Sequence, residues 1–228
     1  MYADKVDYQF SRLRYQADFE HLTEEEFQLL KANVLLRSYK KGQVLFDEGD
    51  ARDRLYYVIE GLVRIERYDE SATYYYYDYV SNNSVFPLGG VFEAEVYTHS
   101  AQAMTDIETF YFPTQIYEQI CQKNNEQLLY LIKKQNKIIE SHQLRLQTGL
   151  TSNAHDRVTQ NLYILKRELG QQESKTKVTI PFPITLKELA VNSGTTRETA
   201  GQVIKKLKEK GFIDYDKKIF TFYEDAIK

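Results

Sequence analysis

Between residues 185 and 211 the chain carries side chains suited to reading a DNA duplex. Thr196, Arg197, Glu198 and Gln202 fall close together. Arginine pairs bidentately with guanine, glutamate accepts from the cytosine amino group, and glutamine pairs with adenine N6 and N7. Lys205, Lys206, Lys208 and Lys210 follow, cations placed for phosphates. Thr185, Lys187, Thr195 and Thr196 add hydroxyls and a further cation for phosphate or supporting contacts. The same residue types also describe a solvated charged face on a surface helical hairpin, so the elements beneath them matter.

Those elements are legible as two amphipathic helices. Leu186, Leu189 and Ala190, then Ala200, Val203, Ile204 and Leu207, are spaced by threes and fours. Asn192-Ser193-Gly194 separates the halves and includes a residue that tolerates positive φ. Thr195 or Thr196 can cap the second helix, and Glu198 lies where a capping-box acid would follow Thr195. A short helix, a tight turn with glycine and a longer helix make a helix-turn-helix, whose second helix meets base edges with its N-terminal half.

The run from Ser193 to Leu207, with its Gly194-x-x-Arg197-Glu198-Thr199-x-Gly201 core, resembles the recognition element of the Crp/Fnr superfamily of bacterial transcription regulators. Lys41–Phe46, Glu48-Gly49-Asp50 and Tyr57–Gly61 are similar to the opening of that family's cyclic-nucleotide-binding-type barrel. Val85-Phe86-Pro87 and Arg197–Gly201 look most like the Gram-positive regulators linked to arginine catabolism. The resemblance implies an α+β chain: a β jelly roll, a long dimerisation helix and a C-terminal winged helix-turn-helix. It implies a homodimer on a near-palindromic, TGTGA-like duplex site, with RNA polymerase as a partner. In the family an Arg, a Glu and a second Arg read the half-site. Arg197 and Glu198 match the first two, and Gln202 stands in place of the third.

The same comparison argues against a cyclic-nucleotide effector. Family members that bind one carry Gly-Glu-Leu for the ribose and later Arg-Ser or Arg-Thr for the phosphate, which a guanidinium grips bidentately. This chain has Leu88-Gly89-Gly90 and His99-Ser100 at those places. The expectation is a degenerate effector pocket, no response to cyclic AMP and no cofactor. Ala101-Gln102-Ala103 resembles the oxygen-sensing Fnr branch, but Cys121 alone cannot supply an iron–sulfur cluster with four thiolates.

Composition sets outer bounds. The 228 residues suffice for one large or two small domains, and 42% hydrophobic content fits a folded chain. There is no run of eighteen apolar residues, the N-terminus lacks an apolar signal core, and one cysteine excludes an internal disulfide. A cytoplasmic protein is expected. The net charge of −3 hides a division: residues 150–228 carry 14 Lys and Arg against 10 Asp and Glu, whereas residues 1–149 carry 16 against 23. Only the C-terminal part is then expected to meet nucleic acid. His21, His99, His142 and His155 are scattered, with no Gly-rich phosphate loop or nucleophile motif, so catalysis is not expected. The competing reading is a protein-interaction module whose helix-turn-helix no longer binds DNA.

In chain order, Thr23-Glu24-Glu25-Glu26 reads as a helix start, and short strands follow at 38–46, 54–65, 74–80 and 108–112. Tyr74–Tyr77 reads as part of a strand rather than a base-stacking platform. Three segments result: a barrel over 1–112, one long helix over 113–149 and a winged helix-turn-helix over 150–228. In the long helix Leu128, Ile132, Gln135, Ile139, His142 and Leu146 repeat at heptad spacing, a seam for a parallel two-helix dimer. Gln135 and His142 are polar interruptions that could fix its register. Residues 149–153 read as a hinge, Gly170–Ser174 as a polar linker, and 212–222 as a hairpin wing.

Overall fold

The structure, a computed structural model, describes residues 2–68 and 75–223, with side chains described from Tyr8 and, after the gap, from Tyr77. It divides into two compact units, Met1–Arg67 with Asp78–Ile138, and Tyr68–Tyr77 with Ile139–Lys228.

The first unit opens with helices α1 (Tyr2–Leu13) and α2 (Glu24–Ala32). Thr23 starts α2, as the Thr-Glu-Glu-Glu run predicts, and caps it in a reciprocal box with Glu26. Eight strands follow along the chain: β1 (Leu35–Tyr39), β2 (Val44–Phe46), β3 (Arg54–Glu60), β4 (Val63–Tyr68), β5 (Tyr75–Val80, whose first three residues count with the second unit), β6 (Ser84–Phe86), β7 (Ser100–Ala103) and β8 (Ile107–Pro113). They form two four-stranded sheets, in orders β1-β8-β3-β6 and β2-β7-β4-β5. This is a jelly roll. Tyr74 of the tyrosine run lies outside the described residues, and Tyr77 on β5 is half-buried.

Two cores explain why Leu55-Tyr56-Tyr57-Val58 is apolar without alternation. Tyr56 and Val58 join Phe46, Val63, Phe86 and Tyr97 between the sheets. Leu55 and Tyr57 point the other way, to Phe10, Phe19, Phe27, Phe110 and Phe112 under the helices. A strand covered on both faces needs apolar residues at every position. The turn between β3 and β4 puts Gly61 at φ +100°, and a Cβ there would fall 2.6 Å from Ile107 Cγ2.

The single helix expected over 114–149 is two helices, α3 (Thr114–Lys123) and α4 (Asn125–Gly149). Asn124 makes the break. Its backbone is extended, its Oδ1 accepts from the amides of Glu126 and Gln127, and its Nδ2 donates to His21 O and Glu26 Oε2. A side chain that caps the next helix while holding α2 outweighs continuous helical propensity. Cys121 is fully enclosed on α3, and burial pushes its thiol up to about 12, so it packs as an inert apolar group.

Helix α4 also shifts the phase of the expected seam. Gln127 and Leu131 face the core, which draws Leu128 to its flank and turns Gln135 inward, where its amide donates to Leu88 O at 3.0 Å. His142 is half-buried. Ile132, Ile139 and Leu146 do face outward. They are joined by Leu129 and Leu150, all five at least 44% exposed, with Asn136 and Gln143 exposed between them. The outward heptad is therefore 129-132-136-139-143-146-150.

Asp18, 2% exposed, ties this unit together. Its carboxylate accepts from Lys134 Nζ at 2.5 and 2.8 Å, from Tyr130 OH at 2.8 Å and from the Val85 amide at 2.8 Å. Burial holds the Lys134 ammonium below its ordinary range despite Asp18 beside it, so the ion pair is expensive to leave unpaired. Asp18→Ala should therefore cost about 3–5 kcal/mol, because it strands a buried ammonium. Urea unfolding of the full chain checks this, and a loss under about 1 kcal/mol would show that water replaces the carboxylate.

Candidate nucleic-acid interface

The second unit contains α5 (Ala154–Leu169), the hairpin β9 (Gln171–Ser174) and β10 (Lys177–Ile180), then α6 (Leu186–Asn192), α7 (Arg197–Glu209) and the wing β11 (Ile213–Asp216) and β12 (Ile219–Tyr223). The strands pair antiparallel in the order β11-β12-β10-β9. Residues 171–174, expected as linker, form β9. They are exposed edge residues whose backbone pairing, not apolar pattern, makes them a strand. Four residues, 150–153, separate α4 from α5, where the hinge was expected.

The helix-turn-helix stands where the spacing placed it. Val203 and Ile204 on α7 and Leu189 and Ala190 on α6 are buried, with Val158, Leu162 and Leu165 of α5. The capping box belongs to the first helix. Thr185 Oγ1 accepts the Glu188 amide, and the Glu188 carboxylate accepts from the Thr185 amide and hydroxyl. On α7 the cap is Thr196, whose side chain accepts the Thr199 amide. Thr195 is half-buried and its amide donates to Ala190 O, so it shapes the turn.

Arg197, Glu198 and Gln202 are all exposed on α7, as are Lys187, Thr196, Lys205 and Lys206. Backbone and Thr196 hydrogen bonds hold the Glu198 carboxyl below its ordinary range, so it is an ionised acceptor at neutral pH. Thr185 is committed to its cap. Lys208 donates to Tyr215 O and pairs with Asp214 at 2.8 Å, so it braces the wing. At the wing tip Lys217 and Lys218 are exposed and both adopt positive φ. Beside the start of α5, His155, Lys206 and Lys210 help line a groove of about 390 Å³.

One residue that organises the site carries no sequence signature. Arg157 donates from Nε to Ser193 O at 2.9 Å and from Nη2 to Gly194 O at 3.0 Å. Its Nη1 donates to Thr151 O at 2.8 Å and Ser152 O at 3.1 Å. One guanidinium thus pins the turn before α7 to the residues that follow α4. A charged residue near a helix start looks like any solvated cation until the fold brings four carbonyls to it.

The expected effector residues lie in the first unit. Leu88 is buried in the helical core, and Gly90 sits at φ +71° with no room for a Cβ against Ala94. His99 Nδ1 lies 2.9 Å from Thr98 Oγ1, and Ser100 Oγ accepts the Glu48 amide. Between the sheets Phe46 stacks on Tyr97 with ring centroids 3.8 Å apart.

Arg157→Ala should destabilise the second unit by about 2–3 kcal/mol, the range for hydrogen bonds to a charged donor. Arg157→Lys should recover less than half, because a compact ammonium cannot span the same carbonyls. Thermal unfolding of the two variants tests this; equal stability in wild type and Arg157→Ala would mean the clamp is idle.

Comparison with known proteins agrees with this geometry. A cyclic nucleotide-binding domain model matches residues 36–124 and a Crp-like helix-turn-helix domain model matches residues 156–222. The HTH-type transcriptional regulator ArcR of Staphylococcus aureus is 25% identical over 216 residues, 94% of this chain and 90% of ArcR. FixK2 from Bradyrhizobium japonicum superposes with a TM-score of 0.71 at 16% identity, covering 83% of this chain and 92% of FixK2. The c-di-GMP responsive global regulator CLP of Xanthomonas campestris gives 0.68 at 22% identity, covering 88% and 99%. No helix among the described residues is long and apolar enough to cross a membrane. With both domain matches in their order along the chain, and a helix-turn-helix that presents its basic and polar face outward, the chain belongs to the Crp/Fnr superfamily of transcription regulators.

Proposed function

We propose that this protein acts in the cytoplasm as a homodimer on a near-palindromic DNA site, reading base edges with Arg197, Glu198 and Gln202. The observation that carries the reading is α7 itself. It buries Ala200, Val203 and Ile204 and leaves Arg197, Glu198 and Gln202 exposed at its N-terminal half. Lys187, Thr196, Lys205, Lys206 and the wing-tip Lys217 and Lys218 supply phosphate contacts, and Thr185 and Thr195 support the turn. The half-site keeps the guanine and C·G features of a TGTGA-like sequence at the pairs facing Arg197 and Glu198. It departs from it opposite Gln202, because glutamine favours adenine where arginine favours guanine. Two half-sites lie about one helical turn apart. RNA polymerase is the further partner in this reading. Cyclic AMP is not the effector, since neither the ribose carboxylate nor the phosphate arginine is present at 88–90 and 99–100.

Dimerisation uses the outward stripe of α4. Five exposed apolar residues at heptad spacing are a surface that a single copy cannot bury. Ile132→Asp combined with Ile139→Asp should convert the dimer to monomer, because it places carboxylates in a seam at a cost of several kcal/mol. Sedimentation velocity decides; a double variant that remains dimeric moves the interface off this helix.

Binding-site selection with wild type and Gln202→Arg tests the DNA reading. The variant should regain stringency for guanine at one base pair in each half-site. Arg197→Ala should cost about 1–3 kcal/mol and relax its own position alone. If wild type selects no duplex at low salt, the helix-turn-helix is an interaction surface and not a reader. If wild type and Gln202→Arg select the same site with equal stringency, Gln202 does not face a base.

A further inference from the structure

Among the described residues Gly201 is the one glycine in the interior of a helix. Helix α7 runs from Arg197 to Glu209, whereas Gly149 is the last residue of α4. Such a glycine lowers the folded-to-unfolded ratio about fivefold relative to alanine, because it has more backbone freedom to lose. Two things inside a protein can call for it: a backbone conformation or a lack of space. Gly201 is helical and does not take positive φ, so conformation does not call for it. Space within the chain does not either. A Cβ at Gly201 would meet only Leu186 Cδ1, at 3.8 Å, which is ordinary van der Waals contact. At Gly61, by contrast, neighbouring atoms leave a Cβ no room. Alanine would fit at Gly201 and strengthen α7, so the reason for glycine lies outside the chain.

The position of Gly201 says where. Helix residues three and four apart share a face. Counting back from Gly201 reaches Glu198 and Arg197, and counting forward reaches Lys205, all three exposed. Ala200, Val203 and Ile204 are buried on the other side of the helix. The approach of Leu186 marks Gly201 as the place where the start of α6, with exposed Lys187 next along, comes beside α7. The gap left by the missing side chain is therefore among the proposed base readers.

Clearance is small where a recognition helix meets DNA. The major groove is about 12 Å wide, and a helix with its side chains is about 10–12 Å across. Long arginine and lysine side chains can swing aside, but a Cβ is fixed to the backbone. Lifting the helix by about 1 Å takes a hydrogen bond of about 2.9 Å beyond its useful range. We propose that Gly201 is a depth-setting residue: duplex atoms in the major groove come into van der Waals contact with the α7 backbone there, and the missing Cβ lets Arg197 and Glu198 reach the base edges. This rests on the DNA reading above and adds to it a position that acts by having no side chain.

Thermal unfolding and fluorescence-anisotropy titration of the full chain, wild type against Gly201→Ala, test it together. The titrations use the duplex that wild type recovers by selection and a scrambled duplex of equal length. Gly201→Ala should melt about 2–8 °C higher, as the better helix former. It should bind the selected duplex about tenfold more weakly or worse, the scale of one misread base pair. The scrambled duplex should lose less, because flexible lysines still reach phosphates. A glycine kept for the chain's own packing predicts the opposite shift in the melt. The proposal is overturned if Gly201→Ala melts lower than wild type, or if its affinity for the selected duplex stays within about twofold. Wild type that binds no duplex overturns the DNA reading itself and this inference with it, and that outcome is seen before any variant is compared.

Discussion

Helix α4 has to satisfy two surfaces with one sequence, and much of the architecture follows from how it divides them. One face carries Gln127, Leu131 and Lys134 into the barrel's helical core. The face half a turn away carries Leu129, Ile132, Ile139 and Leu146, with Leu150 just beyond its end, all exposed. The inner face is largely polar, which looks costly until its partners are counted. Gln127 donates to Asp18 O and Tyr117 OH, and Lys134 meets the Asp18 carboxylate. Apolar contacts would let the helix slide or rotate by small steps. Directional bonds to buried acceptors fix one rotation, and with it the phase of the outward stripe.

The same logic, in smaller compass, sets the recognition helix. Arg197, Glu198 and Gln202, the proposed base readers, are exposed, so they cannot hold α7 in place. Orientation comes from behind. Gly194 takes φ +55° in the turn, and a Cβ there would meet nothing, so backbone conformation rather than space calls for glycine. Arg157 then fixes the carbonyls of that turn, and the wing fixes the far end through Lys208 and Asp214. Ile184 N donates to Lys218 O, which ties the wing turn to the segment leading into α6.

Much of this was legible in sequence because it rests on local periodicity and turn chemistry. The strands at 54–60 and 63–68, the box at Thr23 and the two helices either side of Gly194 are all short-range signals. What escaped was decided at a distance. Nothing near Asn124 says that its amide will bond His21 and Glu26, 103 and 98 residues away, and so interrupt a helix. Spacing alone sets the heptad seam one position early at Leu128, Gln135 and His142, because it cannot tell which of two adjacent stripes faces inward. Thr-x-x-Glu occurs at both Thr195 and Thr185; the chain forms the capping box at Thr185, while Thr196 and not Thr195 caps α7.

The segment Val85–Leu88 runs into Gly89-Gly90, where the family resemblance implies an effector pocket. Here the loop's polar atoms are served from within the unit. The Val85 amide goes to Asp18, the Val85 carbonyl receives Lys134, and the Leu88 carbonyl receives Gln135. Leu88 itself is buried with Phe19 and Leu131 in the same core. Each of these contacts runs to α4 or to the Asp18 that holds α4. The segment from Val85 to Leu88 is thereby fastened to the long helix by the chain's own residues. Any movement of this helix relative to that segment has to break those bonds.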